Sequence, residues 1–157
     1  MEKYYEDNKI EIGLDEAGRG CLFGPVFSAG VIWNGDYHKD IKDSKKLSLK
    51  KRLEMKDYIM ENAISYNVQK IDNDEIDKNN ILQSTINGWH QCIKQVEEDT
   101  HIDLILVDGP NFNWYIGKDG NNISHVCIND GDNKYIPIAA ASILAKTFRD
   151  EYIDTLV

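Results

Sequence analysis

The sequence predicts an α/β fold, a sheet packed against helices, from three features. Segments that alternate or are rich in β-branched residues interleave with segments whose apolar residues recur about every 100° of helical rotation. The run Ile102 to Val107 is nearly continuously apolar and stops at Asp108-Gly109-Pro110, the pattern of a strand buried on both faces. The stretch from Ile138 to about Asp154 opens with Ala139, Ala140, Ala141, Ile143, Leu144 and Ala145. A helix that is small and apolar nearly all round is one buried against a sheet.

The elements follow in order. Lys9 to Leu14 alternates and then turns apolar, and Val26 to Trp33 is β-branched and aromatic. Gly18-Arg19-Gly20 and Gly24-Pro25 lie between them, so a strand, a glycine-rich turn and a second strand form a hairpin. Asn34 to Leu47 is polar loop, and Ser48 can cap a helix that begins at Leu49. Leu49, Leu53, Ile59, Met60, Ala63 and Ile64 share one arc of that helix, which predicts an amphipathic packing face. Tyr66 to Ile71 is a candidate strand. Ile81 to Val96 is a second helix, with Leu82, Ile86, Trp89, Ile93 and Val96 on one side. A polar, asparagine-rich stretch follows Pro110 and is assigned no element, and no internal repeat, linker or low-complexity tract is present.

A chain of 157 residues suits one domain with a real core, and 41% hydrophobic with 29% charged residues is ordinary for a globular protein. No run of about 18 apolar residues is present, which excludes a membrane-spanning helix. The opening MEKYYEDNKI is charged and lacks the apolar segment of a secretory signal. Cys21, Cys92 and Cys127 are odd in number and have no CxxC spacing, which favours reduced thiols in a cytoplasmic protein over a disulfide frame or a zinc site. The net charge of −9 neither supports nor excludes nucleic acid; local clusters decide.

Four acids stand out by position. Asp15 and Glu16 follow the first strand, Asp108 ends the buried run, and Asp150 lies beyond the apolar half of the last helix. A carboxylate at the end of a buried strand costs desolvation energy unless it is paired, hydrogen-bonded or bound to a cation. If such acids converge, oxygen donors without nearby His or Cys suit Mg²⁺ or Mn²⁺ rather than Zn²⁺. Two such ions about 4 Å apart can activate a water and stabilise the departing oxygen in phosphodiester cleavage. Capping a turn or a helix is the plainer role for any one of them. Adjacent strand residues point to opposite faces, so Asp15 and Glu16 can share a site only if the strand bends. Asp150 also stands four residues after Lys146, where a helix-surface ion pair is the alternative. Lys45 and Lys46 read equally as a solvated cluster or as phosphate contacts. His38, His90, His101 and His125 have no ligand spacing; His90 reads as structural and Trp89 as core.

The motifs resemble one family. Asp15-Glu16-Ala17-Gly18-Arg19-Gly20 followed by Gly24-Pro25-Val26 is similar to the opening of ribonuclease HII, and Asp43-Ser44-Lys45-Lys46-Leu47-Ser48 to its second motif. Val107-Asp108-Gly109 resembles its central aspartate motif. Gly131-Asp132, Ile138 to Ile143, Ala145-Lys146 and Arg149-Asp150 resemble its last block. Four motifs in order cover nearly the whole chain, and Arg19 between its two glycines favours type 2 over the related type 3 enzymes.

The resemblance implies an RNase H-like fold in a single catalytic domain over 1–157, with a mixed central sheet flanked by helices. It implies Asp15, Glu16, Asp108 and Asp150 as catalytic and metal-binding acids holding Mn²⁺ or Mg²⁺. Gly18, Arg19, Gly20, Lys45 and Lys46 are implied as nucleic-acid contacts. Glycine lets the backbone approach a ribose closely, and the 2′-hydroxyl is the handle that distinguishes RNA from DNA. The implied partners are RNA–DNA hybrids and DNA duplexes containing ribonucleotides, cut by a monomeric endonuclease of DNA replication and repair. Asp130 stands where the family commonly has lysine. The chain ends at Val157, seven residues past Asp150, where family members continue, so a domain truncated at its C-terminal side is expected. The rival expectations are a hybrid-binding domain with weak or no cleavage, and another nuclease of the same fold.

Overall fold

The computed structural model describes residues 1–20, 24–36, 38–42, 44–72, 74, 76 and 80–156. Cys21 and Asp43 lie outside them, so the first cysteine and the first residue of the Asp43–Ser48 motif are not placed. The strands are β1 (Glu11–Ala17), β2 (Val26–Ile32), β3 (Ser65–Ile71), β4 (Leu104–Asp108), β5 (Tyr115–Ile116) and β6 (Asn122–Ile128). They form one sheet in the order β3-β2-β1-β4-β6-β5. β1, β4 and β6 are parallel, β2 and β3 continue the sheet antiparallel on one side, and β5 closes the other side antiparallel. The sheet is therefore mixed. The helices are α1 (Lys39–Lys42), α2 (Leu49–Asn62), α3 (Ile81–Glu97) and α4 (Ile136–Asp154). None of the described helices is long and apolar enough to cross a membrane.

The pleat divides the core into two layers. Phe27, Ala29 and Val31 of β2 face α2 and α4, packing with Ile59, Ala140, Ile143 and Leu144. Ile12 and Leu14 of β1 and Ile105 and Val107 of β4 face α3, packing with Ile86, Trp89 and Ile93. The predicted hairpin is present, with Gly13 opposite Val31 and Ala17 opposite Phe27. Ser48 caps α2 by accepting the Lys51 N–H at 3.3 Å. The apolar start of α4 is buried against β1 and β2, as its composition required.

Two expectations are corrected. On α2 the buried residues are Met55 and Ile59, while Leu49 and Ile64 are exposed. The helix ends at Asn62, so Ile64 lies beyond it and leads into β3. The asparagine-rich stretch holds β5 and β6 rather than loop alone. β6 alternates poorly because its neighbours β4 and β5 decide its burial: Ile123 faces the α3 layer, while Ile128 packs with Leu104, Leu106 and Ile138.

Gly13 is where α4 meets the sheet. A Cβ there would lie 2.3 Å from the Pro137 carbonyl carbon and 2.4 Å from the Ile138 nitrogen, both backbone atoms that cannot rotate away. Gly13→Ala should therefore destabilise the protein by about 3 kcal/mol, lowering Tm by roughly 6 °C or more in thermal denaturation. An unchanged Tm would mean that α4 does not sit this close to β1.

Candidate metal and catalytic centre

The parallel pairing of β1 with β4 builds the site. Leu14 pairs with Val107, so the next residue of each strand, Asp15 and Asp108, leaves the ladder side by side. Both belong to the face that α4 covers. Glu16 starts from the opposite face, yet one carboxylate oxygen from each of Asp15, Glu16 and Asp108 lies within 4.8 Å of the others. The strand ends meet the condition that adjacency posed: the neighbours Asp15 and Glu16 share one site. Asp15 is fixed at both ends. Its carbonyl accepts the Trp89 indole N–H at 2.9 Å, and its Oδ1 accepts the Glu16 N–H at 2.8 Å. Trp89 is core, as predicted, and also anchors this strand end.

The three acids repel one another in a poorly hydrated place. Burial raises the Asp15 carboxyl well above its ordinary range, and the charges of Glu16 and Asp108 push it further up. Burial also raises Glu16, against the pull of Arg19. Asp108 is raised by burial and then by the charge of Asp132. Glu16 Oε2 is buried with no hydrogen-bond partner among the described residues. An orphaned carboxylate oxygen beside two further acids fits a hard divalent cation, whose charge would offset both the repulsion and the lost hydration.

Asp132 lies beside Asp108, and the sequence reading did not single it out. It lies in the turn after β6, where its N–H donates to Asp108 Oδ1 at 3.3 Å. A Cβ on the preceding Gly131 would come within 3.3 Å of the same oxygen. The available signal was the Asp130-Gly131-Asp132 run just before a buried helix, with Asp130 in the left-handed conformation at φ 54°.

The other predicted residues divide into two groups. Gly18 has φ +105°, and Arg19 sits 3.4 Å from Glu16 Oε1, so this turn borders the acids. A Cβ on Gly20 would meet open space. Lys45 Nζ lies 3.4 Å from Asp132 Oδ2, and Lys46 is exposed. Asp150 is not brought to the three-acid cluster. It pairs with Arg52 of α2 at 3.1 Å rather than with Lys146. Of the described cysteines, Cys92 and Cys127 are free thiols. His90 Nε2 donates to the Asn113 carbonyl at 3.0 Å, and the ring packs edge-on against Phe112 and Tyr115, a structural role.

The electrostatics predict a stability trade. The Asp15 carboxyl is raised in the fold, so its favourable contribution is full below about pH 4, its ordinary unfolded value, and is lost as pH rises into the raised range. Asp15→Asn keeps the acceptor for the Glu16 N–H and removes the charge. Without metal at pH 7 this variant should melt roughly 2–4 °C above the natural chain, or about 1 kcal/mol, and the gain should shrink toward pH 5. Scanning calorimetry checks both; a lower Tm at pH 7 would contradict the repulsion.

The chain is similar to known proteins in sequence and in fold. The sequence profile of the family described as Ribonuclease HII matches residues 12–157. A Ribonuclease HII of Cytophaga hutchinsonii is 43% identical over 154 residues, covering 98% of this chain and 73% of that protein. One from Parabacteroides distasonis is 44% identical, covering 98% and 74%. The crystal structure of the ribonuclease H2 from Pyrococcus horikoshii OT3 superposes with a TM-score of 0.78 at 24% identity, over 93% of this chain and 74% of that one, which extends the likeness to the fold.

Proposed function

The chain belongs to the ribonuclease HII family, and on that premise we propose that it is an endoribonuclease that hydrolyses the RNA strand of RNA–DNA hybrids and cuts at ribonucleotides embedded in DNA duplexes. The observation that carries this reading is the meeting of Asp15, Glu16 and Asp108 within 4.8 Å. These three, with Asp132 as the fourth acid, would hold the divalent cation, Mn²⁺ or Mg²⁺. Asp132 takes that place because its charge already acts on Asp108, whereas Asp150 is engaged by Arg52. Cations held there would supply an activated water and charge compensation at the departing oxygen. In the hydrolysis a water oxygen bonds to phosphorus as the P–O3′ bond breaks and O3′ takes up a proton, leaving a 3′-hydroxyl on one fragment and a 5′-phosphate on the other.

The chain's own groups do the rest. Asp15, pinned by Trp89 and by its hydrogen bond to Glu16, keeps its carboxylate oriented without further reorganisation. Arg19 neutralises Glu16 across 3.4 Å and would exchange that contact for a phosphate when a cation occupies the acids. The Gly18–Gly20 turn, open at Gly20, lets backbone groups reach the 2′-hydroxyl at the RNA–DNA junction. Lys45 and Lys46 lend positive charge that the whole chain, at −9, lacks. We take residues 1–157 as one catalytic domain acting as a cytoplasmic monomer in ribonucleotide removal during DNA replication and repair.

The test is a panel of duplexes incubated with Mn²⁺, Mg²⁺ or a chelator: an RNA–DNA hybrid, a DNA duplex with one ribonucleotide, and all-DNA. Cutting of the first two only, dependent on metal, is expected. Binding without cutting would favour a hybrid-binding domain, and equal cutting of all-DNA would favour another nuclease of this fold.

A further inference from the structure

We propose that Arg149 and Asp150, neighbours on α4, are positioning residues that brace the two substrate-facing loops from a single helix turn; the inference rests on the endonuclease reading above. Arg149 serves the glycine turn. Its Nε donates to the Pro25 carbonyl at 3.2 Å. A Cβ on Gly18 would lie 2.6 Å from that Nε, and one on Gly24 3.1 Å from its Nη2, so two glycines at positive φ make room for one guanidinium.

Asp150 serves the lysine loop through Arg52. Asp150 Oδ2 accepts Arg52 Nη2 at 3.1 Å, and Arg52 Nη1 donates to the Leu47 carbonyl at 3.3 Å. Leu47 closes the turn Ser44–Lys46, from which Lys45 reaches Asp132. Lys45, Arg52, Asp132 and Lys146 thus surround a cavity of about 110 Å³ beside the acids. The Arg52 Nε is buried without a hydrogen-bond partner among the described residues. An Arg–Asp pair still partly open to water, at 18% and 35% exposure, contributes little to stability. Its geometric effect is larger, because it ties an element 98 residues away to the helix that lies on the acidic strand.

The arrangement gives Asp150 a role without metal ligation. It acts on Arg52, Arg52 on the loop, and the loop on the nucleic-acid backbone. Removing either member of the pair should loosen substrate binding and leave the cation site as it was. Arg149 acts on the other loop, so its effect is independent.

Steady-state cleavage of a duplex containing one ribonucleotide, together with Mn²⁺ calorimetry on the full chain, tests this. Arg52→Met and Asp150→Ala should each raise KM roughly tenfold, since small misplacements of positioning groups are costly, with Mn²⁺ affinity held within about twofold. The double variant should be no worse than either single one, while Arg149→Lys should add to both. If Arg52→Met does not fold, Arg52→Lys, which keeps the charge but cannot span both partners, should give a smaller rise in KM at an unchanged Tm. A lower kcat at constant KM, tracking lost folded protein, would overturn the proposal, as would weakened Mn²⁺ binding by Asp150→Ala. If the natural chain fails to cut, the endonuclease reading falls and takes the brace with it. If the natural chain cuts and KM stays flat, only the brace falls.

Discussion

Asp15→Asn and Asp108→Asn should each lower turnover on a ribonucleotide-containing duplex by on the order of 10³-fold while the fold survives. A metal-held phosphodiester site draws several kcal/mol of transition-state stabilisation from its ligand set, and about 4 kcal/mol corresponds to that factor. The two side chains leave paired strands side by side, so each change removes a charge and leaves the backbone unaltered. Asparagine can still accept the Glu16 N–H that Asp15 Oδ1 now receives at 2.8 Å. The loss is therefore electrostatic and not architectural. Near-natural turnover by either variant, fully folded at the assay temperature, would remove the cluster from the mechanism.

Asp132→Asn should cost about 10²-fold in turnover and shift the Mn²⁺ dependence to higher concentration. Its backbone N–H still holds Asp108 Oδ1 at 3.3 Å after the change, so the turn keeps its shape and only the fourth negative charge goes. The expected loss is smaller than at Asp15 because Asp132 is partly exposed and is already matched by Lys45 at 3.4 Å. Rates measured across an Mn²⁺ titration distinguish the roles. A turnover defect that excess Mn²⁺ partly restores marks a ligand; a defect insensitive to metal would assign Asp132 to loop placement alone.

Much of this architecture was legible in the residues. The β1–β2 hairpin declared itself through alternation on both sides of a glycine-rich turn, and α3 through a stripe ending in Val96. Asp15 and Asp108 were visible because each terminates an apolar run, where burial has consequences for a charge. What escaped was set by distance along the chain. β6 has little apolar alternation of its own and owes its place to pairing with β4. With that strand unread, nothing marked the turn after it, and Asp132 went unnoticed although it lies in a quoted motif. For Asp150 the local sequence pointed to a different partner from the one the fold provides. Its helical neighbour Lys146 was the local candidate partner, whereas its actual partner, Arg52, comes from another helix and cannot be inferred from spacing.

The acids impose a cost that only function explains. Three carboxylates with raised proton affinity, and a Glu16 oxygen unpartnered among the described residues, destabilise the metal-free fold, and Asp15→Asn should relieve part of that strain. A site that gains stability on losing a charge while losing activity is one kept for its ligand.

Anomalous diffraction from crystals soaked in Mn²⁺ addresses the acid cluster most directly. A manganese peak is expected with carboxylate oxygens of Asp15, Glu16 and Asp108 at about 2.1 Å. A crystal whose protein cuts ribonucleotide-containing duplex in Mn²⁺ yet carries no peak among those three side chains would contradict the account.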